Sequence, residues 1–274
     1  MATHIIYKLG PFEIPGLAGE RHVRVYVPDE QPAAPLPVLY IFDGQNVFHD
    51  APSFSGGWYL HHAVHDLHEA GKPAPVVVGI DHGGEHRVHE LSPFACADSR
   101  GEADRLLRWI ARALVPRIRG EFPVRGDVAG TAIGGSSMGG LAGLYAHFRR
   151  PDVFGAAMCM SPSLWFAEHR IFSELERWQR PWTSRIYLDA GAHEGSMLTD
   201  AERLAELLRA RGYTDGHDLL WHPDPYGAHS EQAWRARAPA ALERLFTGLH
   251  GDYHGDPVPD DPDPDGPTDA RAAA

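Results

Sequence analysis

The chain has 274 residues, of which 43% are hydrophobic and 23% charged, near the globular average, and its formal net charge is −12. So acidic a chain excludes a nucleic-acid partner, which needs a basic face, and two cysteines, Cys96 and Cys159, are too few for a disulfide framework. No basic-then-apolar leader opens the chain and no apolar run reaches the roughly 18–20 residues of a membrane span, so a cytoplasmic protein with no membrane partner is expected.

In chain order, residues 21–27 alternate polar and apolar, as a half-exposed antiparallel strand does. Residues 37–42 and 75–80 are short continuous apolar runs, the pattern of strands buried on both faces. His61, His65 and His68 share one face of an expected helix, and His82, His86 and His89 cluster in the next loop. No His-Glu-x-x-His pattern accompanies them, so the expectation is a solvated, proton-buffering face and no metal site.

Residues 102–119 place Leu106, Ile110, Leu114 and Ile118 on one helical face. Further strands are expected at 127–133, 154–160, 185–188 and 218–221. Helices are expected around Leu141, Leu144, Tyr145 and Phe148, and around Leu242, Leu245, Phe246 and Leu249. Thr199 and Glu202 read as a capping box before Leu204, Leu207 and Leu208, with Gly212 closing that helix. Residues 250–274 hold seven Asp, one Arg and five Pro, and cannot bury enough apolar surface to order themselves. The expected organisation is therefore one α/β domain over 1–249 and an acidic disordered tail over 250–274. Strands alternating with helices imply a mostly parallel twisted sheet with helices on both faces. Ligands bind at the carboxyl ends of such strands.

At one such end the sequence runs Gly135-Ser-Ser137-Met-Gly139, after an apolar strand and before a helix. A sharp strand-to-helix turn lifts the central hydroxyl clear of the backbone, and flanking glycines avoid a clash. A phosphate loop is excluded because no Gly-Lys-Ser/Thr follows. Ser137 is thus the expected nucleophile. The base should follow it, and His229 fits best: it sits in the loop Tyr226-Gly-Ala-His229-Ser230 ahead of a helix. The acid must leave the strand at 185–188, where Asp189 and Glu194 both qualify and position alone does not choose. Met138, next to the nucleophile, and Gln45, in the turn Asp43-Gly44-Gln45, should supply the N–H groups of an oxyanion hole. Trp58, Trp165, Phe166, Trp182 and Tyr226 concentrate near the strand ends. Trp165 is expected to wall the substrate pocket, with Trp58 and Tyr226 as further candidates. Core packing is the alternative for Trp58 and the favoured one for Trp182.

Four segments carry a resemblance: Val38-Leu-Tyr-Ile-Phe-Asp-Gly-Gln45, Ser137-Met-Gly-Gly-Leu-Ala142, Ser161-Pro-Ser-Leu-Trp165 and His229-Ser-Glu-Gln-Ala-Trp234. In this order and spacing the chain resembles the Putative esterase family, which includes enterochelin (siderophore) esterases, feruloyl esterases and S-formylglutathione hydrolase. The resemblance spans about residues 20–248. It implies an α/β-hydrolase fold, no cofactor, and attack on small-molecule ester carbonyls. It matches the nucleophile to Ser137, the base to His229, and the oxyanion donors to Gln45 and Met138. It also favours Glu194, in Gly191-Ala-His-Glu194, as the acid over Asp189. Arg87 matches a region that meets acidic substrate in siderophore-cleaving members, although an Arg87–Glu90 surface pair is an equal expectation. No extended insertion separates Trp165 from Arg185, so no large lid is expected. The implied function is a serine esterase working through an acyl-enzyme on short or aromatic acyl esters, siderophore-type esters among them. An acyltransferase on the same triad is the alternative, and a non-catalytic binding protein a weaker one.

Overall fold

The computed structural model describes residues 4–53 and 55–247; the expected acidic tail and the expected domain end at Leu249 lie outside them. Strands β1 (Ile6–Glu13) and β2 (Glu20–Tyr26) form an antiparallel pair, and β2 also pairs antiparallel with Val76–Ile80. β3 (Val38–Phe42), β4 (Val76–Ile80), β7 (Thr131–Ser136), β8 (Ala156–Met160), β9 (Arg185–Gly191) and β10 (Leu219–Asp224) are all parallel. The eight-stranded order is β1-β2-β4-β3-β7-β8-β9-β10. Two-residue strands β5 (Ala95–Cys96) and β6 (Ser99–Arg100) make a separate small hairpin.

The apolar runs are explained by the two faces they serve. On β3, Val38, Tyr40 and Phe42 join one core while Leu39 and Ile41 join the other, because successive strand side chains point to opposite sides. Helices α3 (Ala103–Trp109), α4 (Val115–Glu121), α5 (Met138–Arg149), α6 (Phe166–Arg177) and α7 (Ser196–Ala210) cover the first face. Helix α2 (Arg87–Leu91) adds Leu91 to it. Helices α1 (Leu60–Glu69) and α8 (Glu231–Phe246) cover the second. A π-helical turn at Ile110–Leu114 joins α3 to α4, so 103–121 is one helical run with Leu106, Ile110, Leu114 and Ile118 buried.

Several element bounds differ from expectation. β1 was not picked out because Gly10 and Pro11 break its pattern; the register shifts between Leu9 and Phe12. β7 starts at Thr131 rather than 127 and runs on through Ser136. Asp127 instead closes a turn, accepting from the N–H of Gly130 at 3.2 Å. α7 begins at Ser196, so Thr199 lies within the helix and not at its cap. β9 continues three residues past Leu188, which puts Asp189 inside the strand. Trp182 is 95% exposed and takes no part in the core expected for it. The histidine face is not uniformly solvated either. His61 is buried beside the rings of His4, His49 and His62, and burial with those neighbours lowers its pKa to about 3.

No helix among the described residues is long and apolar enough to cross a membrane.

Candidate active site

β7 delivers Ser137 at its carboxyl end, one residue before α5. The serine takes φ 56° and ψ −122°, a strained conformation for a residue with a side chain. The turn closes because Gly135 and Gly139 are bare: a Cβ on Gly135 would sit 3.1 Å from the Cα of Gly139. Hydrogen bonds pin the turn, with Ser137 N–H donating to the Met160 carbonyl and Ser163 N–H to the Ser137 carbonyl, each at 3.0 Å.

Two loops then converge on this serine. The turn after β9 and the turn after β10 approach so closely that a Cβ on Gly191 would lie 2.2 Å from the Gly227 carbonyl oxygen. His193 N–H donates to that carbonyl at 2.9 Å. Glu194 and His229 are thereby brought together: His229 Nδ1 is 2.9 Å from Glu194 Oε2, and His229 Nε2 is 3.0 Å from Ser137 Oγ. Ser230 caps α8, its Oγ accepting from Ala233 N–H at 3.3 Å, which sets where His229 leaves the helix. Trp234 meets the His229 ring edge-on at 4.8 Å.

Glu194 has a dense set of donors. Its Oε1 accepts from the Gly191 N–H at 2.7 Å and the Ser161 hydroxyl at 2.8 Å, with Arg237 Nη2 at 3.5 Å. Burial works to raise its pKa, but His229, Ser161, Gly191 and Arg237 together hold it below the ordinary glutamate value. Asp189 does not reach His229. Its Oδ1 accepts from Ser161 N–H at 2.9 Å, and its Oδ2 accepts from the Tyr187 hydroxyl and Arg237 Nε, each at 3.0 Å.

Met138 opens α5, and Gln45 lies in the 3-10 turn Gly44–Asn46; N–H groups in such first turns have no intrahelical acceptor. Gln45, Ser136 and Ser137 line a cavity of about 390 Å³ with Asn46, Arg87, His82, Glu231 and Trp234. Arg87 borders this cavity, but it pairs with neither Glu90 nor the surface. Its Nε and Nη2 grip the Asp43 carboxylate at 2.6 and 2.7 Å. Glu90 is instead bound by the buried Arg21. The other aromatic expectations fare differently. Trp58 is buried behind the wall, its ring 6.0 Å from Trp234, and does not line the cavity. Trp165 is 49% exposed and Tyr226 86% exposed, and neither is among the lining residues.

Ser161, Arg237 and Glu231 were not assigned roles from the sequence. One signal for Arg237 was present. It falls with Trp234, Ala238, Ala241 and Leu245 on the buried stripe of α8, and an arginine there demands an acidic partner.

The model of the family described as "Putative esterase" matches residues 14–245. The chain is 31% identical over 236 residues to an iron(III) salmochelin esterase of Escherichia coli O6:H1, covering 75% of this chain and 52% of that one. It is 30% identical over 193 residues to a siderophore triacetylfusarinine C esterase of Aspergillus fumigatus, covering 66% of this chain and 64% of that one. It thus spans about half to two thirds of these relatives' own lengths. The enterobactin esterase of Shigella flexneri, solved in the presence of enterobactin, superposes with a TM-score of 0.71 at 25% identity, over 91% of this chain and 59% of that one. The BES protein of Bacillus cereus superposes at 0.70 with 18% identity, over 90% and 97%. The fold is that of the α/β-hydrolases, and the chain belongs to the Putative esterase family.

Proposed function

We propose that this protein is a serine carboxylic-ester hydrolase using Ser137, His229 and Glu194. The observation that carries this is the continuous line from Glu194 Oε2 through the His229 ring to Ser137 Oγ, with hydrogen-bond distances of 2.9 and 3.0 Å. Ionised Glu194 accepts from Nδ1–H, which leaves Nε2 as the proton acceptor facing the serine. As Ser137 Oγ bonds to the ester carbonyl carbon, His229 Nε2 takes the hydroxyl proton. The Met138 and Gln45 N–H groups receive the oxyanion. His229 then protonates the departing alcohol, leaving an acyl-serine, and the same ring activates the water that releases the acid.

The named activities of the relatives support a small-molecule ester of siderophore type as substrate. A cavity of about 390 Å³ with Trp234 and Pro52 among otherwise polar lining residues supports short or aromatic acyl groups over long chains. A fluorophosphonate probe tests the reading, since it labels only an activated serine. Labelling of the wild type and not of Ser137→Ala is the expected result; an unlabelled wild type refutes it. Product analysis with an added alcohol measures how much acyl group goes to acceptors other than water.

A further inference from the structure

We infer that Glu231 is a positioning residue for the loop carrying the Gln45 N–H, an inference that rests on Ser137 and Gln45 acting as proposed above. Backbone hydrogen bonds from Asn46 N–H to the Asp43 carbonyl at 2.9 Å and from Val47 N–H to the Gly44 carbonyl at 3.2 Å close that turn, but they do not fix it against α8. The loop enters the Gly44–Asn46 turn through Asp43, at φ 58° in the left-handed region, which aspartate tolerates better than most side chains but still at some cost. Two side-chain anchors flank Gln45. On one side Arg87 grips Asp43 through two short hydrogen bonds. On the other, Asn46 Nδ2 donates to Glu231 Oε1 at 2.9 Å, across a sequence separation of 185 residues.

Glu231 is also the first residue of α8, two after His229. Its second oxygen accepts from Trp58 Nε1, while Trp58 N–H donates to the Asn46 carbonyl at 2.8 Å. Trp58 packs on Trp234, which stands edge-on to His229. One carboxylate therefore ties the base-bearing end of α8 to the donor loop. The opposing possibility is a direct substrate contact, because Glu231 borders the cavity. Both of its oxygens already accept from protein donors, which argues for the bracket.

The test compares Glu231→Ala, Glu231→Gln, Asn46→Ala and the double alanine variant. It reads kcat and KM on 4-nitrophenyl butyrate, and inhibition by a trifluoromethyl ketone, which bonds to Ser137 and carries the oxyanion. Removing a well-aimed oxyanion donor costs about 10²–10³-fold, so a misaimed one should cost about 10- to 100-fold. Glu231→Ala is expected to lower kcat by that factor with KM within about threefold, and to weaken the ketone equally. The double variant should lose no more than Glu231→Ala, and Glu231→Gln, which keeps an acceptor oxygen, should fall between. A raised KM with unchanged kcat, additive losses, or an unaltered ketone affinity each overturn the bracket. If Glu231→Ala fails to fold, Asn46→Ala, which leaves α8 intact, carries the same comparison. A wild type that neither hydrolyses the ester nor binds the ketone overturns the esterase reading and the bracket with it.

Discussion

Arg237 Nε lies 3.0 Å from Asp189 Oδ2, and both side chains are almost wholly removed from solvent. The same guanidinium reaches Glu194 at 3.5 Å, Asp224 at 3.4 Å and Ser161 Oγ at 2.8 Å. Burial pushes the Asp189 carboxyl up to about 6, against the opposing pull of Arg237 and the Ser161 N–H. The pair braces the shelf on which Glu194 stands, and the two acids are expected to respond differently to substitution.

Glu194→Gln should keep the fold and lower turnover on the order of 10²–10⁴-fold, through loss of the correct His229 tautomer. Asp189→Asn should instead act on stability, because it leaves Arg237 beside a neutral amide; an uncompensated buried charge costs roughly 3 kcal/mol, and Glu194 and Asp224, which still face the guanidinium, should keep the loss below that. Denaturant midpoints and steady-state rates measured on both variants separate the two effects. A slower Asp189→Asn enzyme of undiminished stability would make Asp189 the working acid.

Ser137→Ala should fold normally and lose activity by about 10⁶-fold, and His229→Ala by a similar factor. The double variant should be little worse than either, because each residue is useless without the other. Losses that multiply would mean that the two do not act as a unit.

Stability should fall as pH drops from 6.5 toward 4. His147 is fully buried, and burial lowers its pKa to about 4 despite the Phe154 carbonyl bonded to Nδ1 at 3.0 Å. Its folded pKa lies below the unfolded one, so the unfolded chain binds more protons in this window and unfolding gains on acidification. By pH 4.5 this one group should cost roughly 2 to 3 kcal/mol; His61 acts in the same direction, while Asp189, raised to about 6 in the fold, takes up its proton in this window and offsets part of the loss. His147→Gln should be less stable at pH 7.5, since Ser184 Oγ loses its 2.6 Å bond to the ring and keeps only the Tyr213 hydroxyl, but its stability should depend less on pH. An identical slope in the two proteins would rule out His147 as the sensor.

Acyl-chain preference should follow the cavity wall. Gln45, Asn46, Ser55, His82, Arg87 and Glu231 are polar, and only Pro52 and Trp234 bring apolar side chains to the lining, so a long chain outruns the apolar surface and each methylene beyond it gains little of the ~0.8 kcal/mol that full burial would give. Values of kcat/KM for 4-nitrophenyl esters should peak at short acyl groups; a steady rise through palmitoyl would contradict the polar wall.

What a single chain makes legible here is what neighbours in sequence build together. The elbow at Gly135-Ser-Ser137-Met-Gly139 is local, and so its strand, its turn and the place of Ser137 at its apex could be read directly. The buried parallel strands were legible because both faces of β3 and β4 demand apolar residues. The choice of acid was different. Strand alternation puts Asp189 on the same face as Tyr187, the face that α8 covers, and there Arg237 claims it. Glu194 lies past the strand, where the close approach of Gly191 to Gly227 aims it at His229. Arg87 was equally ambiguous: three residues from Glu90 in sequence, it binds Asp43, 44 positions away. Such pairings depend on which loops the finished sheet sets side by side. Only the tertiary structure decides them, because side-chain direction and loop convergence leave no periodic trace in the chain.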